Sequence, residues 1–162
     1  MNARLFGHLP LLTECHIRPT MKRNTFPLKE HLKSKRTIER VYSEGSSVTS
    51  YPLRAVFLEI ENENQEPRAA VLINVAKKRF RHAVDRNLVK RRIREAYRTS
   101  KHQLIDTLEA NGKKIAIAIL YIDTKHNSTA FLKKKMTKLL DNIITKVGSN
   151  EETACQHTDS AN

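Results

Sequence analysis

Residues 77–101, KKRFRHAVDRNLVKRRIREAYRTSK, decide how the chain folds and which surface it presents. The segment holds eleven Lys or Arg residues against two acids, Asp85 and Glu95, so it carries a surplus of nine charges in a chain whose net charge is +13. From Arg86 to Ser100 it contains no Gly or Pro, and Asp85 stands where its charge suits the positive end of a helix. The segment therefore predicts a strongly basic helix.

A helical wheel divides this helix into two sides. The apolar side consists of Val89, Ile93, Ala96 and Tyr97. The opposite side consists of Asn87, Lys90, Arg91, Arg94, Arg98 and Lys101. Like charges four residues apart oppose helix formation by a few tenths of a kcal/mol per pair, and a bound polyanion relieves that repulsion. Because arginine offers a planar fork that matches phosphate oxygens, the pattern favours RNA over the alternative of a solvated charged face.

A helix, a short strand and two longer strands are predicted before the basic segment. Apolar residues at helical spacing predict a first helix over 32–44, with Gly45 as a left-handed cap. A short strand is expected near 47–50, and the runs 53–60 and 69–76 predict two strands of a hairpin joined by a polar connection.

A strand and a helix are predicted after it. Asn111 and Gly112 indicate a turn, and the apolar run 115–122 indicates a buried central strand. Asn127 or Ser128 is expected to cap a last helix that ends near residue 147. The fold class is therefore α+β, with the order α-β-β-α-β-α and helices packed on one face of a small mixed sheet.

The composition predicts one domain of the chain's 162 residues, over 21–147. Residues 1–20 show no sustained period and 148–162 are polar, so we predict a flexible N-terminal extension and a disordered C-terminal tail. No run reaches the roughly 20 apolar residues of a membrane span, and no cleavable leader is recognised, so a cytoplasmic protein without membrane contact is expected. Cys15 and Cys155 are expected to be unpaired thiols.

The sequence predicts no catalytic residue and no protein metal site. Glu59 and Glu61 could share a strand face but lack a third ligand, and the run 123–125, Asp-Thr-Lys, is expected to be an ordinary loop. The seven histidines are scattered, and His82 is better placed to touch phosphate than to catalyse. These observations favour a binding protein over a nuclease.

The order D-R-N-x-x-K-R-x-x-R-E-x-[YF]-R, at residues 85–98, resembles the RNR signature of the bacterial ribonuclease P protein subunit. The NVAKK run at 74–78 is similar to the strand end that precedes this signature in the family, and residues 32–45 are similar to its first helix. The order of elements agrees from about Met21 to Val147.

The resemblance implies a ribosomal protein S5 domain 2-like fold and a protein that binds a large catalytic RNA. That RNA, with Mg²⁺ that it requires itself, removes the 5′ leader of precursor tRNA, so the implied partners are the RNase P catalytic RNA and precursor tRNA, with no protein partner. The residues implied to contact RNA are Lys77, Lys78, Arg86, Asn87, Lys90, Arg91, Arg94 and Arg98. The residues implied to line the cleft for the leader are Tyr42, Ile38 and Phe80, although many members have Phe where Ile38 stands. For Phe80 the alternative is a packing residue that anchors the turn before the basic helix.

Two other classes of protein are weighed against this one. A non-enzymatic RNA-binding protein, ribosomal or chaperone-like, fits the composition equally well, and only the combination of motifs argues against it. A DNA-binding basic helix is disfavoured because no leucine heptads follow Ser100.

Overall fold

The computed structural model describes residues 24–60 and 67–149. Several predictions concern residues outside these ranges. They are the N-terminal extension 1–20, residues 150–162 of the C-terminal tail, the two cysteines and Glu61. The elements, in chain order, are a 3₁₀ turn (Leu28–Glu30), α1 (Lys35–Glu44), β1 (Ser46–Ser50), β2 (Leu53–Glu59), β3 (Ala69–Val75), α2 (Ala83–Ser100), α3 (His102–Ala110), β4 (Ile115–Tyr121) and α4 (Thr129–Ser149). The α+β class and every predicted helix and strand are confirmed, and α3 is an element that was not predicted.

The four strands form one mixed sheet in the order β1-β2-β4-β3. β2 pairs antiparallel with β1 and with β4, whereas β3 pairs parallel with β4. The predicted hairpin of 53–60 with 69–76 is therefore wrong, because β4 lies between these two strands. The hairpin is β1–β2, and β3 reaches β4 through a crossover that contains α2 and α3, as parallel strands require.

Helices pack on both faces of the sheet. Alternate residues of the strands, such as Ala55, Phe57 and Ile117, pack with α2, α3 and α4 into the main core. The intervening residues, such as Val56 and Ala118, pack with α1 into a second, smaller cluster. The prediction that all helices lie on one face is wrong for α1, since β2 is apolar on both sides and can cover two layers.

Helix ends follow the sequence signals in part. Ser128 caps α4 by accepting a hydrogen bond from the Phe131 N–H at 3.3 Å, and Gly112 takes a positive φ of 63° in the predicted turn. Gly45 is not left-handed, because its φ and ψ of −72° and 143° are extended. It is needed for another reason: a Cβ there would stand 2.2 Å from the Val41 carbonyl oxygen, so only glycine lets the chain leave α1 so close to the sheet.

Candidate nucleic-acid interface

α2 docks on the sheet through the apolar side that the wheel predicts. Val89, Ile93, Ala96 and Tyr97 are all at most 1% exposed. Asp85 lies in the first turn, where its carboxylate is 3.5 Å from the His126 imidazole of the loop before α4. The basic helix is therefore fixed to the body of the protein along its whole length.

Two arginines of α2 make hydrogen bonds that hold the helix in place. Arg86 donates to the backbone carbonyls of Phe80 and Arg81 at 3.0 and 2.8 Å, which closes the turn that leads into α2. Arg92 donates to the Asn127 carbonyl at 2.8 Å and so ties the middle of α2 to the loop before α4. Arg86 was predicted to contact RNA, and the structure shows that part of its hydrogen-bonding capacity is used inside the protein.

The C-terminal end of α2 is internally paired. Arg98 forms an ion pair with Glu95 at 2.6 Å and also donates to the Asn24 carbonyl. The hydrogen bond from Arg98 lowers the pKa of Glu95, against an opposing effect of burial. Lys101, which the wheel places on the cationic side, is only 3% exposed and pairs with Glu30. The wheel is wrong for Lys101 because the chain bends into α3 at this residue.

The remaining predicted cations stand free on the surface. Lys77, Lys78, Arg91 and Arg94 are exposed and Lys90 is half-buried. No hydrogen bond or ion pair within the described ranges engages any of these five side chains. Asn87 is exposed beside them. A stiff helix with unpaired guanidinium and ammonium groups is the arrangement that binds phosphates.

The second sheet face is only partly covered by α1. Tyr42, on α1, is 44% exposed, and Ile38 is half-buried where α1 meets the sheet. Beyond α1, one row across the sheet remains open, with Arg54 paired to Leu120 and Leu120 to Asn74. Arg54 and Asn74 are exposed and Leu120 is half-buried, which gives a floor with a cation, an amide and an apolar centre.

Sequence reasoning missed Arg54 as a candidate residue of this surface. The signal that could have found it is the alternation of side chains along a strand, which places Arg54, Val56 and Leu58 on one face of β2. A charged residue at the end of that apolar face indicates that the helix covering the face does not extend over it. For Phe80, the structure favours the alternative of a packing residue over a place in the cleft. Its ring is 5% exposed and packs on Tyr121 and His126, with centroids 5.9 and 4.9 Å away, so it anchors the turn before α2.

The carboxylate of Asp123 stabilises its own loop. Asp123 Oδ1 accepts from the backbone N–H groups of Thr124 and Lys125 at 2.7 and 3.2 Å, and Oδ2 accepts from the Asn127 amide at 3.0 Å. Over 24–60 and 67–149, no three His, Cys, Asp or Glu side chains gather where they could hold a metal ion. Within the same ranges, none of the helices has the length and apolar content to cross a membrane.

A fixed cationic helix on one side of a small sheet, with an open aromatic and basic cleft on the other, is the arrangement expected of an RNA-binding protein. A family model, Ribonuclease P, matches residues 26–144. The chain belongs to the ribonuclease P protein family, whose role is RNA binding and processing of tRNA 5′ ends.

Relatives of known name agree with this assignment. The Ribonuclease P protein component of Porphyromonas gingivalis is 37% identical over 121 residues, which are 75% of this chain and 88% of that protein. The protein of the same name from Chlorobium phaeobacteroides is 31% identical over 129 residues, 74% of this chain and 88% of that protein.

Solved structures show the same fold. The RNase P protein of Staphylococcus aureus matches with a TM-score of 0.56 at 22% identity, over 70% of this chain and 94% of that one. The RNase P protein of Thermotoga maritima matches with a TM-score of 0.55 at 20% identity, over 69% of this chain and 96% of that one.

Proposed function

We propose that this protein binds the catalytic RNA of ribonuclease P through α2 and the 5′ leader of precursor tRNA through the cleft beside α1. The observation that carries the proposal is the set of five unpaired cations at and before α2 in a chain of this family. The folded unit that does this is residues 21–147, and it acts in the cytoplasm.

The RNA subunit is proposed to cut the phosphodiester bond, with Mg²⁺ bound by RNA. The described carboxylates support this division of work, because Asp123 is saturated by hydrogen bonds from within its own loop and Glu30 pairs with Lys101. The protein's contribution is then positional and electrostatic. Its cations neutralise phosphates that would otherwise repel one another when substrate and RNA subunit approach.

The leader is proposed to lie across the open row of the sheet. Arg54 supplies a charge for a phosphate, and the exposed ring of Tyr42 supplies a surface on which a base can stack. Such a stacking contact is worth about 1–3 kcal/mol. Ile38, half-buried at the foot of α1, adds apolar contact.

Reconstitution tests the proposal directly. The purified protein is mixed with its cognate ribonuclease P RNA and a precursor tRNA at low Mg²⁺, and the mature 5′ end is quantified. We expect the protein to accelerate 5′ processing, because it replaces part of the screening that high Mg²⁺ provides. Binding of RNA without any gain in processing would favour the non-enzymatic RNA-binding alternative.

A comparison of precursor tRNA with mature tRNA separates the cleft beside α1 from the surface of α2. A Tyr42→Ala variant is expected to lose affinity for a precursor with a leader, by about 5-fold or more on the stacking estimate, while binding mature tRNA as the unchanged protein does. Equal losses with both substrates would show that Tyr42 does not contact the leader.

A further inference from the structure

A second cationic surface lies on α4, where neither the family signature nor the wheel of α2 placed one. Between Thr129 and Ser149 the helix has five lysines and one acid, Asp141. Lys133, Lys134 and Lys138 are exposed, and no ion pair within the described ranges neutralises them. Lys134 and Lys138 are one turn apart, on the side opposite the buried stripe that includes Met136.

The lysines of α4 adjoin α2. Arg92 of α2 contacts Asn127 just before α4, and Ser100 at the end of α2 contacts Thr137 of α4 at 3.4 Å. Both contacts advance in the same direction along the two helices, so α2 and α4 run parallel, side by side. Packed helices are about 8–10 Å apart, which is a short distance for an RNA strand to cross.

Two acids of α2 lie near the seam between the two helices, and each has a basic neighbour. Asp85 is 3.5 Å from the His126 imidazole. The pKa of Glu95 is lowered by the hydrogen bond from Arg98 and, more weakly, by the nearby charge of Lys133, against the effect of burial. Because Arg98 is already paired with Glu95 at 2.6 Å, an RNA passing from Arg91 to Lys134 meets no uncompensated carboxylate.

The outer face of α4 has an open groove between its side chains. A depression of about 430 Å³ is lined by Lys134, Lys135, Thr137, Lys138 and Asp141. The ammonium group of Lys135 is held 5.4 Å from the centre of the Phe131 ring, which limits its freedom. Three lysines and a hydroxyl there can donate to a phosphate group, and the carboxylate of Asp141 opposes that binding.

We propose that α2 and α4 form one continuous phosphate-binding surface, and that Lys134 and Lys138 contact the RNA subunit of ribonuclease P. The inference rests on the proposed function. The RNA subunit is the occupant because α4 shares the α2 face of the sheet, whereas the cleft proposed for the leader lies on the opposite face with α1.

The test is the affinity of a Lys134→Gln/Lys138→Gln variant for the cognate RNA subunit alone. Two lost phosphate contacts are expected to weaken binding by roughly 10- to 40-fold at 0.1 M salt and to flatten the slope of log affinity against log salt by about 1.4–1.8. The matched control is Lys35→Gln/Arg36→Gln, which removes two exposed charges from α1 and is expected to change affinity by less than about 3-fold. Circular dichroism melting confirms that both variants are folded.

Three results would overturn the inference. The first is an α4 variant that binds the RNA subunit as tightly as the control does. The second is an equal loss in both double variants, which would reflect net charge alone. The third is a loss seen only when precursor tRNA is present, which would assign α4 to the substrate. An Arg91→Gln/Arg94→Gln variant tested in parallel reports on the α2 surface: if it alone is weakened, only the α4 inference fails, and if it also binds normally, the proposed function fails at α2.

Discussion

Replacing Lys101 by methionine tests whether this lysine is buried, as the structure has it, or exposed on the cationic side of α2, as the helical wheel predicts. The side chains of Lys101 and Glu30 are 4% and 12% exposed, and Oε2 of Glu30 is buried without a hydrogen-bond partner among the described residues. Lys101→Met therefore leaves a buried carboxylate with no cation. Removing one partner of a buried pair costs about 3–5 kcal/mol. We expect the low end, because release of the 3₁₀ turn that carries Glu30 would let water reach the carboxylate.

Urea unfolding followed by circular dichroism measures this loss. A cost of about 3 kcal/mol also lowers the melting temperature by roughly 10 °C for a domain of this size. The control is Lys90→Met, a half-buried lysine of the same helix with no described partner, for which a change within about 0.5 kcal/mol is expected. A second variant, Glu30→Leu/Lys101→Met, should recover most of the stability, because an apolar pair often replaces a buried ion pair without loss.

A loss below 1 kcal/mol for Lys101→Met would refute the reasoning, since exposed ion pairs are worth that little. In that case Lys101 would belong to the cationic surface after all. The salt dependence of RNA binding then gives an independent reading: the buried position predicts an unchanged slope, and an exposed phosphate contact predicts a slope reduced by about 0.7–0.9.

Three further predictions concern the surface, the turn after α1 and pH. An Arg91→Gln/Arg94→Gln variant is expected to reduce the salt slope for RNA-subunit binding by about 1.4–1.8, and an unchanged slope would contradict the assigned surface. Gly45→Ala is expected to cost about 1–3 kcal/mol in thermal unfolding, because the new Cβ would stand 2.2 Å from the Val41 carbonyl oxygen; a neutral outcome would show that α1 moves freely. Burial, and then the charges of Arg94 and Lys33, lower the pKa of His31. The free energy of unfolding that neutral His31 contributes is therefore lost as pH falls below about 6.5. An NMR titration that gives His31 a pKa at or above 6.5 would contradict this.

Local periodicity was sufficient to predict every element except the 3₁₀ turn and α3, and to predict the buried side of α2. Val89 and Ile93 fall on one side of any regular helix of this register, and burial follows from their chemistry. α3 was missed although Leu104, Ile105 and Leu108 show helical spacing, because α2 and α3 are separated by the single residue Lys101 and the basic helix was taken to end the helical segment.

Non-local contacts could not be predicted in this way. Glu30 and Lys101 are 71 residues apart, and no spacing rule joins them. The same holds for Arg92 and Asn127, which are 35 residues apart. The hydrogen bond from Arg92 to the Asn127 carbonyl connects α2 to the loop before α4, although the sequence pattern places Arg92 on the surface. The order of strands was also beyond local pattern, since 53–60 and 69–76 resemble the two arms of a hairpin until a third strand is placed between them.

The central position of β4 has a consequence for how the protein is made. The strand that joins β2 to β3 is the last of the four to be synthesised, so a nascent chain cannot close the sheet until residue 121 has left the ribosome. Until then the basic helix has been translated but has no completed support on which to pack. Pairings of this long range slow folding, and they expose unfinished surfaces while they form. Any shortened chain that stops before Ile115 would contain the basic segment 77–101 but lack the central strand of the sheet on which that segment packs as a helix.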